Sequence, residues 1–113
     1  MKNKFKTLPR EFKSGINNDV VIKDMGTISL SDDEQITFLT DSNAQYDLAR
    51  KSWGFYATPS VNSRLKKFNF KTAIVKNTFG KYFIMIVEID KMDKFLQYLK
   101  KDNQIIIEWI DER

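Results

Sequence analysis

The sequence predicts an α+β domain with a mainly antiparallel sheet of about six to seven strands and two helices on one face. Two observations predict it. Short apolar segments, alternating or rich in β-branched residues, recur between residues 20 and 57 and are separated by turn-forming residues, a pattern typical of strands. The C-terminal third then shows a β-β-α-β order, which places a helix against an antiparallel sheet.

Residues 1–18 are rich in Lys and Asn, contain Pro9 and Gly15, and show no sustained apolar period. Such a composition is typical of a terminal segment that stays disordered. We therefore divide the chain into a basic flexible tail, residues 1–18, and a single α+β domain, residues 19–113.

The first predicted strands lie between residues 20 and 57. Residues 20–22 are β-branched, and residues 27–30 and 35–40 alternate between apolar and polar side chains. Residues 46–57 form a longer segment rich in aromatic and basic side chains, which we interpret as one long strand bent at Gly54.

A short helix should come next. Thr58 can cap a helix, and Pro59 suits the first helical position because its missing N–H would have had no partner. The helix should end near Asn69. Its apolar face consists of Val61, Leu65 and Phe68.

The C-terminal unit has the clearest pattern. Residues 72–76 and 82–87 flank a turn containing Gly80, and the nearly continuous apolarity of the second segment predicts a central strand buried on both faces. A helix should begin at Asp90, and residues 104–110 form the last strand. The helix carries apolar residues at i, i+3, i+4 and i+7, namely Met92, Phe95, Leu96 and Leu99.

The composition limits the chemistry. The chain contains no cysteine and no histidine, which excludes disulfides, cysteine–zinc sites, histidine metal sites and Ser–His or Cys–His catalysis. The longest apolar run, residues 83–87, is too short to span a membrane, and no signal peptide is visible. We expect a cytoplasmic protein, and we favour a binding protein over an enzyme. The sequence leaves the oligomeric state open.

Charge is unevenly distributed along the chain, which has a formal net charge of +4. Residues 50–87 contain eight basic residues and no acid, whereas residues 19–49 contain seven acids and one lysine. An acid-free stretch of this length inside a domain indicates an anionic ligand or partner.

The candidate site lies where this stretch begins. Arg50, Lys51 and Arg64 could close around a phosphate or carboxylate, beside the free N–H groups of the predicted helix start. Aromatic rings before the helix could stack on a sugar or base. The predicted ligand-binding residues are Arg50, Lys51, Trp53, Tyr56, Thr58, Ser60, Asn62 and Arg64.

The same residues also have a purely structural interpretation. Trp53 and Phe55 could be core residues, Asp47 could pair with Arg50 or Lys51, and the segment from Thr58 could simply start a helix. No phosphate-loop or dinucleotide-binding fingerprint is present, so the motif alone does not separate the two interpretations.

The consecutive acids Asp32, Asp33 and Glu34 raise the question of a magnesium site. Neighbouring residues in a loop do not converge naturally on one ion, and no calcium-loop spacing follows them. We therefore interpret them as a solvated hairpin loop, and we predict no metal and no cofactor.

Two other functions stay open. The first is nucleic-acid binding through the Lys-rich tail and a basic surface, although no RNA-recognition motif is present. The basic surface comprises Arg64, Lys66, Lys67, Lys71, Lys76 and Lys81.

The second is an enzyme without histidine. Asp47 or Tyr56 would act as acid or base, and Arg50 or Lys51 would hold an anion; such a carboxylate would need a pKa raised toward neutrality. No residue is assigned a catalytic role.

From Tyr46 through Trp53 and Pro59 to Leu65, the chain resembles a group of small uncharacterised bacterial proteins. The likeness extends to residues 26–30, to residues 33–35 and to the C-terminal hairpin and helix, so that it covers roughly residues 25–111. Such proteins are typically encoded among genes for surface-polysaccharide and sugar-nucleotide biosynthesis.

The resemblance implies a pathway and no established activity. With the charge pattern, it leads us to expect a small binding or accessory protein of that metabolism. Such a protein would bind an anionic ligand, such as a phosphorylated sugar or sugar nucleotide, or a partner enzyme.

Overall fold

The computed structural model describes all 113 residues as eight strands and two α-helices, and every strand pairing is antiparallel. The predicted α+β class is therefore confirmed. No helix has the length and apolarity needed to cross a membrane. The elements are β1 (Lys2–Ser14), β2 (Val20–Ser29), β3 (Gln35–Leu39), β4 (Gln45–Lys51), β5 (Gly54–Ala57), α1 (Arg64–Lys67), β6 (Phe70–Lys76), β7 (Tyr82–Glu88), α2 (Met92–Lys101) and β8 (Ile105–Trp109). Short 3-10 turns, Ile89–Lys91 and Ile110–Glu112, precede α2 and follow β8.

The strands form three small sheets, so the predicted single sheet of six to seven strands is wrong. Their orders are β1-β2, β3-β4-β5 and β7-β6-β8. The single sheet fails because β2 pairs with β1 instead of β3. In addition, a bend at Pro59 and helix α1 separate β5 from β6, so that no hydrogen-bonded ladder joins the sheets.

The N-terminal segment is a strand where the sequence suggested a flexible tail. β1 pairs with β2 to form a two-stranded sheet, which we call the N-terminal ribbon. The Ile16 amide at its turn donates to a carboxylate oxygen of Asp102 (2.8 Å), and the Met1 ammonium lies 3.0 Å from Glu34. Nearly all β1 side chains are exposed, which explains why no apolar period marked it as a strand. The division of the chain at residue 18 into tail and domain stays a prediction.

Gly26 permits the close approach of β1 to β2. Its φ is +130°, and a Cβ there would lie 2.8 Å from the Phe5 Cα and still closer to the Lys4 carbonyl oxygen. A side chain at this position would therefore both strain the backbone and push the two strands apart.

The sheet β7-β6-β8, which we call the C-terminal sheet, has one helix on each face. This corrects the expectation that both helices share one face. Leu99 of α2 packs on Ala73 and Val75 of β6. Leu65 of α1 packs on Phe70 of the same strand. Because side chains alternate along a strand, Phe70 faces away from Ala73 and Val75, and each helix covers one face.

The predicted β-β-α-β unit is present as β6, β7, α2 and β8. However, β6 is the central strand of its sheet, and β7 lies at the edge. The expectation that residues 82–87 form a strand buried on both faces is therefore wrong. Tyr82, Phe83 and Ile84 are exposed, and only Val87 is buried.

The chain end is fastened to β6 by the buried carboxylate of Asp111. It accepts hydrogen bonds from the Thr72 amide and the Lys71 ammonium, both at 2.9 Å. The ammonium also lies 5.0 Å from the centre of the Trp109 ring. Burial alone would raise the pKa of Asp111, but the Lys71 and Thr72 hydrogen bonds outweigh it and hold the pKa below its ordinary value of 3.8.

The close approach at Gly26 predicts that Gly26→Ala destabilises the protein and releases β1, as measured by thermal unfolding and amide exchange of residues 3–5. Gly54→Ala is the matched control, because Gly54 has a similar φ of +142° but no atom within 4 Å of an added Cβ. The control should show only backbone strain, about 1–3 kcal/mol. An equal loss in both variants would contradict the steric role.

The Asp111 contacts predict a pH-dependent effect of Asp111→Asn. At neutral pH the substitution should lower the free energy of unfolding by about 1.5–3 kcal/mol, because a charged hydrogen bond is lost. A lowered folded-state pKa gives stability that is present above the unfolded value and lost as pH falls through the folded value. Urea titrations from pH 7 to about pH 3 should show the two proteins converging. A gap that stays constant with pH would contradict this.

Candidate functional site

The candidate residues begin on a hairpin where the sequence suggested one long strand. β4 and β5 reverse at Ser52 and Trp53, and Lys51 lies opposite Gly54. Gly54, with φ +142°, adopts a conformation that other residues rarely reach. The expected single strand over residues 46–57 is therefore wrong, because this glycine completes a turn instead of bending a continuous strand.

The reversal changes which side chains share a face. Tyr56 lies opposite Ala49, on the same face as Lys51, whereas Arg50 lies opposite Phe55 on the other face. Arg50 and Lys51 therefore do not converge, since neighbouring residues of a strand point to opposite sides.

Three exposed rings surround the turn, and we call them the aromatic hairpin: Trp53, Phe55 and Tyr56. Trp53 is 69% exposed and stacks on Tyr56, with ring centres 5.9 Å apart and planes at 22°. Phe55 is 61% exposed on the opposite face. None of the three belongs to either buried core cluster, so the alternative that Trp53 and Phe55 are core residues is wrong.

Both cations of β4 are paired with carboxylates from the preceding loop. Arg50 lies 3.5 Å from Asp32 and donates to the Leu30 carbonyl (2.8 Å). Lys51 forms an ion pair with Asp33, and the hydrogen bond in that pair raises the pKa of Lys51. The first two cations of the acid-free stretch thus meet counter-charges from the acidic segment before it.

The three carboxylates of the acidic loop, Asp32, Asp33 and Glu34, contact different partners. Asp32 and Asp33 face Arg50 and Lys51, while Glu34 accepts from the Ser31 amide (2.6 Å) and pairs with the chain's amino terminus. These contacts lower the pKa of Glu34, the Ser31 amide contributing most. The three acids do not form a cluster that could hold a metal ion.

Asp47 and Arg64 form the most buried ion pair near the hairpin. Asp47 is 3% exposed, accepts from the Thr37 hydroxyl (2.5 Å) and pairs with the Arg64 guanidinium. It lines none of the cavities of the molecule. With its oxygens engaged by two donors, the carboxylate holds β3, β4 and α1 together, and the geometry does not favour a role as acid or base.

The predicted helix start at Thr58 is wrong, because α1 begins only at Arg64 and comprises four residues. The Thr58 amide donates to the Asp47 carbonyl (3.1 Å), and its hydroxyl donates to Gln35 (2.7 Å). The Ser60 hydroxyl accepts from the Arg64 amide (3.0 Å). These groups form hydrogen bonds within the chain, so the hairpin has no helix N-terminus with free N–H groups beside it.

The structure therefore divides the eight predicted residues into three groups. Lys51, Tyr56 and Thr58 share one face of the β3-β4-β5 sheet, which we call the central sheet, with Trp53 at its end. Arg50 lies on the opposite face. Ser60, Asn62 and Arg64 belong to the turn and short helix that follow, where Asn62 is exposed and makes no side-chain hydrogen bond. Binding of a ligand by these residues stays a prediction.

The cavities lie elsewhere. None of the four is lined by any of the eight residues. One, of about 430 Å³, lies between the N-terminal ribbon and the C-terminal unit, where Ile16, Ile22 and Phe83 meet the polar side chains of Tyr98 and Gln104. No local sequence pattern indicates this cavity, because its walls come from segments far apart in the chain.

The burial of Asp47 predicts that removing its partner Arg64 destabilises the protein more than removing Lys51, whose partner Asp33 is exposed. Arg64→Ala should lower the free energy of unfolding by about 3–5 kcal/mol, because it leaves a buried carboxylate without its cation. Lys51→Ala, which removes the exposed pair with Asp33, should cost less than about 1 kcal/mol. Urea unfolding measures both, and a cost for Lys51→Ala equal to that of Arg64→Ala would contradict the structural role of Asp47.

Comparison with known proteins gives no match: no protein-family model, no curated protein and no solved structure matches this chain.

Proposed function

We propose that the protein is a small binding or accessory protein that docks on a partner protein through the aromatic hairpin. The exposed Trp53–Tyr56 stack supports this most directly. The resemblance noted in the sequence adds the context, so that the expected partner is an enzyme of bacterial surface-polysaccharide or sugar-nucleotide metabolism.

A protein partner fits this surface better than a small anionic ligand. Small-molecule sites are concave and bury most of the ligand, but no cavity is lined by the hairpin residues. A phosphate would also compete with Asp32 and Asp33 for Arg50 and Lys51. Tryptophan and tyrosine, by contrast, dominate the binding energy of protein interfaces.

The hairpin is arranged in advance for binding. Stacking on Tyr56 limits the rotation of Trp53, and the Thr58–Gln35 hydrogen bond and the Lys51–Asp33 pair fix the surrounding strands. Side chains that are ordered before binding lose less entropy in the complex. The ion pairs around the rings provide the polar rim that protein interfaces commonly show.

Trp53→Ala should weaken capture of the partner by about 30-fold or more, as expected for a central interface tryptophan. The test immobilises the full chain, identifies proteins retained from cells of its source, and measures their affinity for wild type and variant. Phe79→Ala is the matched control, because Phe79 is 73% exposed on a different hairpin. It should leave affinity unchanged.

Two outcomes would replace this proposal. A rise in melting temperature with sugar nucleotides, abolished in Lys51→Ala, would instead support the small anionic ligand. Retention of short RNA that weakens steeply with salt would support nucleic-acid binding through ribbon lysines without an acidic partner, such as Lys2 and Lys4.

A further inference from the structure

Strand β7 leaves one backbone edge open. It pairs with β6 on one side only, and none of its residues forms another backbone or side-chain hydrogen bond except through the Glu88 carboxylate. An open groove of about 560 Å³ borders it, walled by Met85 and Ile86, which point to opposite faces. Since residues of both faces line this groove, it lies along the edge of the strand.

Among the strands at sheet edges, β1 and β8 are protected against pairing, whereas β3, β5 and β7 are not, and β7 is the longest of these three. β1 carries alternating basic residues, Pro9 and a register shift between Phe5 and Arg10, and β8 carries a bulge opposite residues 74 and 75. Charges, proline and bulges are the devices that prevent strands from adding to an edge. Residues 82–87 contain none of them.

The sheet face beside this edge is apolar and uncovered. Ile84 lies directly opposite Ile74 of β6. Tyr82 precedes Ile84 by two residues and therefore points to the same face. Ile84 and Tyr82 are exposed. Helix α1 covers only the Phe70 end of this face, where Ile86 is packed. The Lys76 ammonium lies 5.6 Å from the centre of the Tyr82 ring, so Ile84, in the apolar band next to the open edge, has no apolar cover from α1.

The chain as a whole exposes more surface than a monomer of its size should. Its accessible area is 8310 Å², whereas a folded monomer of 13.3 kDa exposes roughly 6,500 Å². The excess of roughly 1,800 Å² exceeds the roughly 800 Å² that each partner buries in a standard interface. Part of this excess lies on the N-terminal ribbon, where nearly all β1 side chains are exposed. The chain therefore has surface available for an interface, but the excess does not place that surface at β7.

We propose that a second copy of this chain pairs with the open edge, β7 to β7 in antiparallel orientation about a two-fold axis. The two ends of the strand are oppositely charged, because Lys81 precedes it and Glu88 ends it. Antiparallel pairing places the lysine end of one strand near the glutamate end of the other, without a direct cross-strand ion pair, because the two side chains point to opposite faces and Glu88 already accepts from Thr40 and Ser42. Two apolar bands join across the axis, and the sheets continue as β8-β6-β7-β7-β6-β8. This pairing is independent of the aromatic hairpin, which lies on another sheet.

Sedimentation equilibrium of the full chain tests the proposal. Wild type should have twice the monomer mass of 13.3 kDa, and Ile84→Lys should weaken dimerisation by at least about tenfold. Ile105→Lys is the matched control, because Ile84 and Ile105 are both 59% exposed on edge strands of the same sheet. It should leave the dimer intact.

A second variant and a second measurement distinguish loss of dimerisation from misfolding. Tyr82→Lys should separate the copies as Ile84→Lys does, while circular dichroism stays that of a folded chain. In wild type, amides of residues 82–88 should exchange more slowly as protein concentration rises. A monomeric wild type at about 100 µM, a dimeric Ile84→Lys, or dissociation caused by Ile105→Lys would each overturn the proposal.

Discussion

The Asp47–Arg64 pair is the interaction on which the arrangement of the sheets depends. A nearly fully buried carboxylate is tolerable only with its charge compensated, so Arg64, and α1 with it, is held against the central sheet. The next residue, Leu65, is fully buried and packs with Ala44 beside β4 and Phe70 of β6. One ion pair thus positions the apolar contact that joins the central and C-terminal sheets.

Other joints between parts of the chain also use carboxylates. Asp102 receives the amide of Ile16 from the N-terminal ribbon, and Glu88 at the end of β7 receives hydroxyls of Thr40 and Ser42. Only 13 of 113 residues are buried, so apolar packing alone gives little directional control. Carboxylates supply it, and the hydrogen bonds from Ser42 and Thr40 lower the pKa of Glu88. The Glu88 joint therefore persists at neutral pH and weakens as the pH falls through the lowered pKa of Glu88.

The local elements of the C-terminal unit could be predicted from the sequence, whereas strand β1, the β4-β5 reversal and the pairing partners of the strands could not. The C-terminal β-β-α-β unit followed from short-range periodicity, with Phe95 and Leu99 one turn apart on α2. The charge pairing depends on strand register, which brings Asp33 to Lys51 across 18 positions. A composition profile shows those charges as separate blocks and therefore suggested a free basic site. The composition profile also did not show the chain reversal at Ser52 and Trp53. This reversal places Arg50 and Tyr56 on opposite faces of the sheet.

The discrepancy at β7 has a different origin. Continuous apolarity is the pattern of a strand with neighbours on both sides and cover on both faces, yet within one chain β7 is an edge. A sequence pattern reflects the environment of the assembled state, and a single chain shows only part of that environment. With a second copy paired to it, β7 becomes central, its open backbone groups are satisfied, and the exposed Ile84 gains a neighbour. The apolarity of residues 82–87 then has a cause that a single chain does not show.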